Sequence, residues 1–229
     1  MDSTINRQED GIIDRYVNRK FSGILTPFFI KLGISPNAIT IISMLIGLGG
    51  AACFAVGSYK LGIIGALLFQ LSVIVDCCDG EVARLTFAES PFGQELDIIA
   101  DNVVHMAIFA GIAWGGYLQG PWQHSLLPLV LGTVAIVANG FSLLFVNRVR
   151  HLKVQPMVWQ QIPSAQRTRL EFILGNVANR DFSVVVLLFA FFALLPWFLW
   201  IAAVGAAFFA LMMGWTIRQA LLPKPSQHL

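Results

Sequence analysis

Charged residues are scarce in this sequence. Asp, Glu, Lys and Arg make up only 12% of the 229 residues, whereas 56% are hydrophobic. A soluble domain carries about 25% charged residues, so this composition excludes an ordinary soluble globular protein. The apolar runs also lack the alternating pattern, about ten residues per segment, that is typical of an outer-membrane β-barrel. We therefore predict an all-α, polytopic membrane protein.

Cysteine is also rare. Cys53, Cys77 and Cys78 form no Cys-x-x-Cys pair and lie in or beside apolar segments, which argues against a disulfide framework or a cysteine metal site. We expect small buried side chains instead. The sequence equally lacks an internal repeat and a glycine-rich nucleotide fingerprint. Its basic segments have no interleaved aromatic residues, so we expect no nucleic-acid partner.

Six segments of membrane length can be drawn along the chain. We predict transmembrane helices at 38–58, 61–82, 95–118, 124–146, 181–195 and 197–217. The last two would be joined by a turn around Pro196 and Trp197, and the fifth is short unless residues 179–181 form its first turn. This places a membrane domain at 37–222 between an N-terminal segment, 1–36, and a tail, 223–229.

The basic residues predict the orientation of these helices. With the six spans above, 14 of the 15 lysines and arginines fall on the side of the two termini. The positive-inside rule then makes both termini and the connection between spans two and three cytoplasmic, in a multi-pass protein of the cell membrane. The same rule accounts for the six basic residues of segment 148–180 more simply than a phosphate pocket does.

The polar N-terminal segment contains a further helical pattern. Between residues 8 and 35, apolar residues recur at helical spacing beside Arg15, Arg19 and Lys20, which predicts an amphipathic juxtamembrane helix. We expect its basic residues at the lipid headgroups and its apolar stripe in the interface or against the bundle. An ordinary soluble helix is the alternative. No apolar stretch precedes a small-residue cleavage site here, so we expect no cleaved signal peptide.

Four aspartates lie at the adjoining ends of spans two and three. Asp76 and Asp79 are three residues apart and Asp97 and Asp101 four apart, so each pair occupies one face of its helix. A tight turn through Ser90 would make an antiparallel hairpin with an acidic inner seam. Each carboxylate within the bilayer costs roughly 2.5 to 3.5 kcal/mol on insertion scales. Oxygen ligands in this number suit Mg²⁺ or Mn²⁺, and such an ion suits a phosphate-containing substrate.

Small residues and an arginine accompany the acidic pairs. Gly80 and Ala83 remove side-chain bulk beside the aspartates, and Arg84 could bind phosphate. Taken separately, the two small residues are equally typical of close helix packing, and Arg84 of a cytoplasmic anchor.

Together these residues form the pattern Asp76-x2-Asp79-Gly80-x2-Ala83-Arg84-x8-Gly93-x3-Asp97-x3-Asp101. At every specified position it resembles the signature of the CDP-alcohol phosphotransferase family, class I, also called CDP-alcohol phosphatidyltransferases. The segment Pro36-Asn37-x2-Thr40 is similar to the usual start of the first span in that family. The resemblance implies a six-helix membrane bundle, commonly a homodimer, with a site that faces the cytosol.

The activity implied by the resemblance is transfer of a phosphoalcohol from a CDP-alcohol, such as CDP-diacylglycerol, to the hydroxyl of a small or lipid acceptor, with release of CMP. Asp76, Asp79 and Asp97 match metal ligands of the family, and Asp101 matches its general base, which also touches a second divalent ion. The positions that match substrate-binding residues are Gly80, Ala83, Arg84, Gly93, Asn37 and Thr40. Phosphatidyl and inositol-phosphate chemistry both remain open, within phospholipid or related phosphodiester biosynthesis.

A cation or solute transporter that uses the acidic cluster is the alternative function. A cation pathway should continue across the bilayer, whereas these carboxylates gather at one end of the predicted bundle. Two further polar residues lie within spans. His105, one turn beyond Asp101, could orient that carboxylate, but an ordinary interhelical hydrogen bond is the simpler interpretation for it and for Asn139.

Overall fold

The computed structural model describes residues 18–119, 121–154 and 182–221, and this part of the chain is all-helical. The prediction of an all-α protein is thereby confirmed for these residues. The helices, in chain order, are α1 (Arg19–Lys31), α2 (Pro36–Ala55), α3 (Tyr59–Leu85), α4 (Pro91–Leu118), α5 (Leu127–Val154), α6 (Phe182–Phe191) and α7 (Leu195–Leu221).

Serine caps define where the helices around the aspartates begin. Ser35 and Ser90 each precede a proline at the first helical position, and their hydroxyls accept from the backbone N–H groups of Ala38 and Gly93. Ser58 caps α3 in the same way. A serine cap satisfies an N–H that the helix itself cannot, and proline at the first position loses no hydrogen bond. Local sequence therefore sets the starts of α2 and α4.

Within the described residues, five helices are long and apolar enough to cross a membrane: α2, α3, α4, residues Leu127–Leu144 of α5, and residues Leu195–Met212 of α7. The predicted fifth span, 181–195, differs from the structure. There the helix α6 ends at Phe191 after ten residues, a length of about 15 Å against a hydrocarbon core of about 30 Å.

The turn between the last two helices also precedes its predicted position. It occupies residues 192–194, where Ala193 has a φ of +57°. Pro196 is instead the second residue of α7, where its missing N–H leaves no intrahelical bond unmade. The sequence analysis placed the turn at Pro196 because proline inside a helix usually ends it. Proline is tolerated in the first turn of a helix, however, and Pro196 lies there.

Helix α5 is longer than predicted. It continues to Val154, whereas the fourth span was expected to end at residue 146, so the first basic residues of segment 148–180 belong to a helix. The remainder of that segment, with Arg167, Arg169 and Arg180, lies outside the described residues, as do the tail 223–229 and residues 1–17.

Helix α2 packs against both α3 and α4, and in the described chain these two helices make few contacts with each other. The predicted acidic hairpin therefore has a third member, because α2 lies along both arms, while aspartates of α3 and α4 still meet across the acidic seam. Glycines allow the approach. A Cβ at Gly50 would lie 2.8 Å from the carbonyl oxygen of Gly65, and a Cβ at Gly111 would overlap the carbonyl oxygen of Ala51.

Helix α1 lies along α3 with its polar face inward. Asn18, Ser22 and Thr26 are buried, and Asn18 accepts a hydrogen bond of 2.7 Å from the side-chain amide of Gln70. Phe21 and Ile24 are exposed, the latter by 68%. The sequence pattern did not predict that polar residues, as well as apolar ones, face the bundle.

We predict that Gly111→Ala destabilises the bundle by about 1 to 3 kcal/mol, because the added methyl group must push α2 and α4 apart against backbone. Gly140→Ala in α5 is the matched control, since a Cβ there has no atom within 4 Å. Thermal unfolding in detergent measures both. An unfolding temperature lowered equally by the two variants would contradict the close crossing.

Candidate active site

Hydroxyl groups of α2 hold the two aspartates of α3. Asp76 and Asp79 are 3% and 6% exposed. Thr40 Oγ1 donates a hydrogen bond to Asp79 Oδ2, and Ser43 Oγ lies 3.2 Å from Asp76 Oδ1. A buried carboxylate is stable only where hydrogen bonds or cations replace its hydration. These contacts therefore link the rotation of α3 to that of α2.

Three carboxylates meet beside these contacts. Asp76, Asp97 and Asp101 each offer one oxygen, and the three oxygens lie within 4.8 Å of one another. Such a set fits a hard divalent cation, which takes oxygen ligands, and provides the negative charge to hold it. Asp79, the fourth predicted ligand, lies outside this group. It faces the adjoining cleft and accepts from Thr40.

An open cleft adjoins the three carboxylates, between the end of α3 and the starts of α4 and α2. Its empty space, counted together with the open mouth, measures about 590 Å³. All six predicted substrate-binding residues line it, together with Asp79 and Asp97. Its lining also includes residues that the motif did not single out, namely Pro36, Ala88, Glu89, Ser90 and Gln94.

The two motif glycines make room for neighbouring side chains. A Cβ at Gly80 would lie 3.3 Å from Arg84 Nη1, so the guanidinium group lies against the bare backbone of Gly80. A Cβ at Gly93 would lie 3.0 Å from Asn37 Oδ1. The Arg84 guanidinium and the Asn37 amide therefore lie beside glycine backbone in the cleft. The absence of a side chain at Gly80 leaves room for the planar guanidinium, which suits phosphate binding.

The turn between α3 and α4 forms one edge of the cleft. Phe87 adopts a φ of +54°, and the N–H of Ala88 donates to the carbonyl of Ala83 at 2.9 Å. A left-handed residue after a helix commonly closes it in this way, although a bulky aromatic residue there is unusual. The Phe87 side chain is 95% exposed. The short reversal brings Ser90 and Gly93 back beside the end of α3.

The polar residues of the spans have structural partners. His105 stacks edge-on against Phe69 and Phe182, with ring centroids 5.8 and 5.4 Å apart. Asn139 Nδ2 donates to Asn102 Oδ1 at 3.4 Å, which is the interhelical hydrogen bond expected of it. Cys77 and Cys78 are buried thiols, as expected of small core side chains.

Sequence analysis did not identify Ser43. Its hydroxyl contacts Asp76, and its carbonyl accepts from Ser72 Oγ of α3 at 2.8 Å. A usable signal was present, because Ser43 follows Thr40 by three residues and so occupies the same face of α2. The pattern alone could not say that this face meets the aspartates.

Comparison with known proteins agrees with the motif. The family model of CDP-alcohol phosphatidyltransferases matches residues 33–215. The phosphatidylinositol phosphate synthase of Streptomyces avermitilis is 27% identical over 215 residues, which cover 91% of this chain and 83% of that protein. The bifunctional IPC transferase and DIPP synthase of Aquifex aeolicus is 32% identical over 114 residues, half of this chain. This match spans only 25% of the bifunctional protein's length.

The fold is shared with phosphatidylinositol phosphate synthase of Mycobacterium tuberculosis. Its crystal structure with CDP-DAG bound matches with a TM-score of 0.61 at 19% identity, covering 92% of this chain and 100% of that one. A second crystal structure of the same protein, in complex with manganese and citrate, has a TM-score of 0.53. At this level of identity the likeness concerns the fold.

We predict that Asp76→Asn abolishes the thermal stabilisation of the protein by Mg²⁺ or Mn²⁺, because it removes one of three converging carboxylates. Glu89→Gln removes a carboxylate from the lining of the same cleft, outside that trio, and should keep the stabilisation. Scanning fluorimetry over a metal titration measures both. Unchanged stabilisation of the Asp76 variant would remove Asp76 from the ligand set.

Proposed function

Since the chain belongs to the CDP-alcohol phosphatidyltransferase family, we propose that it transfers a substituted phosphate group from a CDP-alcohol to the hydroxyl of an acceptor alcohol and releases CMP. The observation that carries this proposal is the convergence of Asp76, Asp97 and Asp101 beside a cleft that Arg84 also lines. Converging carboxylates suit a divalent ion, and an arginine beside them suits the phosphate that such an ion binds.

Two divalent ions, Mg²⁺ or Mn²⁺, complete the proposed site. Asp76, Asp79 and Asp97 would hold the first and Asp101 would contact the second. When bound, the ions supply positive charge that neutralises the pyrophosphate and the departing CMP. The manganese complex of the Mycobacterium tuberculosis protein supports a divalent metal, as does the all-oxygen donor set of this chain.

The donor would bind in the cleft through its cytidine diphosphate group. Arg84, lying against Gly80, would pair with a phosphate through its planar guanidinium. Gly80, Ala83 and Gly93 would let the nucleotide approach the backbone, with Asn37 providing an amide. Because the Thr40 hydroxyl donates to Asp79, we assign Thr40 mainly to holding that carboxylate.

Asp101 would act as the general base. Its carboxylate takes the proton of the acceptor hydroxyl while the acceptor oxygen bonds to the phosphorus of the substituted phosphate. The bond between that phosphorus and the bridging oxygen breaks, and CMP leaves with the electron pair. Correct placement of donor and acceptor in the cleft would provide much of the rate.

We propose CDP-diacylglycerol as the first donor to test and an inositol phosphate as the first acceptor. The name of the Streptomyces avermitilis relative and the CDP-DAG-bound structure of the Mycobacterium tuberculosis protein support this choice. Other relatives are named bifunctional IPC transferase and DIPP synthase instead, and for this reason a donor that carries inositol phosphate is the second choice.

The distribution of lysine and arginine residues suggests how the helices are oriented in the membrane. We propose that the predicted fifth span, which contains α6, completes a set of six, that α1 is a juxtamembrane helix, and that both termini and the site face the cytoplasm. The basic residues on the side of the termini support this orientation.

We also propose a homodimer, as the family resemblance implies. Within the described residues, no observation favours the transporter over the transferase.

The direct test is CMP release by the purified protein with Mg²⁺, with CDP-diacylglycerol and then CDP-inositol offered against a panel of acceptor alcohols. We expect release that requires one donor and one acceptor together. No release with any pair, from protein that binds metal, would contradict the proposed reaction for these donors.

We predict that Asp101→Asn lowers turnover by at least about a hundredfold, since general-base catalysis contributes roughly 10² to 10⁴, while the unfolding temperature and donor binding persist. Glu95→Gln, an exposed carboxylate on the same helix, is the matched control and should retain activity. The measurement is the steady-state rate of CMP release. An active Asp101→Asn protein would overturn the assignment of the base.

A further inference from the structure

A fifth carboxylate lies within the acidic motif but serves neither the cleft nor the three-carboxylate group. Glu81 follows Asp79 by two residues, about 200° around α3, so it points to the other side of the helix. There both carboxylate oxygens accept hydrogen bonds from α1. Ser22 Oγ donates to Oε1 and Thr26 Oγ1 donates to Oε2, each at 2.6 Å.

The donors belong to a polar stripe that is unusual for a helix with an exposed apolar face. Asn18, Ser22 and Thr26 recur every four residues and are at most 2% exposed, so they form one buried line against α3. Hydrogen bonds to a charged acceptor are stronger than those between neutral groups. The two hydroxyls therefore make α1 a partner of one particular segment of α3, the turn that carries the aspartates.

That turn is held on its other side as well. Thr40 and Ser43 of α2 contact Asp79 and Asp76. Hydroxyl groups of α1 and α2 therefore bind carboxylates that point in different directions from the same two turns of α3. Two opposed contacts restrict rotation of a helix about its axis, which a contact on one side does not. A rotation would displace Asp76 relative to Asp97 and Asp101 on α4.

The geometry points to Glu81 as a positioning residue: the Ser22 and Thr26 hydroxyls of α1 hold it and thereby fix the orientation of Asp76 and Asp79 toward the metal-binding group. This inference rests on the proposed function insofar as it concerns the metal. Groups that hydrogen-bond to metal ligands from behind commonly change metal affinity or activity by 10- to 100-fold when removed, and Glu81 would act on the ligands of α3 through the backbone of that helix.

The test compares Ser22→Ala/Thr26→Val with the wild-type protein in the full-length chain, reconstituted in lipid nanodiscs. One readout is Mn²⁺ affinity by electron paramagnetic resonance, and the other is amide hydrogen exchange over residues 76–86. We expect the Mn²⁺ dissociation constant to rise by at least about tenfold and exchange in this segment to accelerate. Ser22→Ala/Thr26→Ser, which restores one hydroxyl, should recover most of the affinity.

Asn18→Ala is the matched control. It removes the Asn18–Gln70 hydrogen bond from the same helix interface without touching Glu81, so it should lower the unfolding temperature yet leave Mn²⁺ affinity unchanged. Wild-type affinity and exchange in the double variant, or an equal loss of affinity in Asn18→Ala, would overturn the inference. If the wild-type protein binds no Mn²⁺, the metal proposal itself fails, and exchange over residues 76–86 alone decides whether Glu81 is held as inferred.

Discussion

The close approach of the α2 backbone to α3 on one side and α4 on the other is the constraint on which this site depends. Lipid gives helices little hydrophobic reason to associate, so membrane bundles rely on small residues that let backbones meet and on interhelical hydrogen bonds. Glycines at both crossings of α2 supply the first. Because α2 contacts both acidic helices, its start lies beside the end of α3 and the start of α4, and these three segments line the cleft.

Hydroxyl side chains then determine how the acidic helix is turned. Thr40 and Ser43 from α2, and Ser22 and Thr26 from α1, contact three carboxylates within two turns of α3. A buried carboxylate without such partners would be unstable in a membrane, so charge and helix orientation are coupled here. The carboxylates are held in position by protein groups, which reduces the reorganisation needed when a cation or phosphate arrives.

Helix α1 shows how far a sequence pattern can be taken. Its apolar periodicity predicted an amphipathic helix, and a helix is present at Arg19–Lys31. Periodicity defines two faces but not their surroundings. In water the polar face would point outward, whereas here Ser22 and Thr26 point inward because Glu81 offers them a buried charged acceptor. The turn before α7 is similar: Pro196 marked a boundary, but a proline can stand just inside a helix as well as before it.

Local chemistry was determined by the sequence alone. The membrane class follows from scarce charge and long apolar runs, the starts of α2 and α4 follow from Ser-Pro pairs, and the family follows from the spacing of the motif residues. Tertiary structure decided which of these residues meet. That Asp76 joins Asp97 and Asp101 while Asp79 pairs with Thr40, and that Glu81 faces α1, depends on the rotation and crossing of whole helices. Those quantities arise from packing between residues 20 to 60 positions apart, which helical periodicity does not specify.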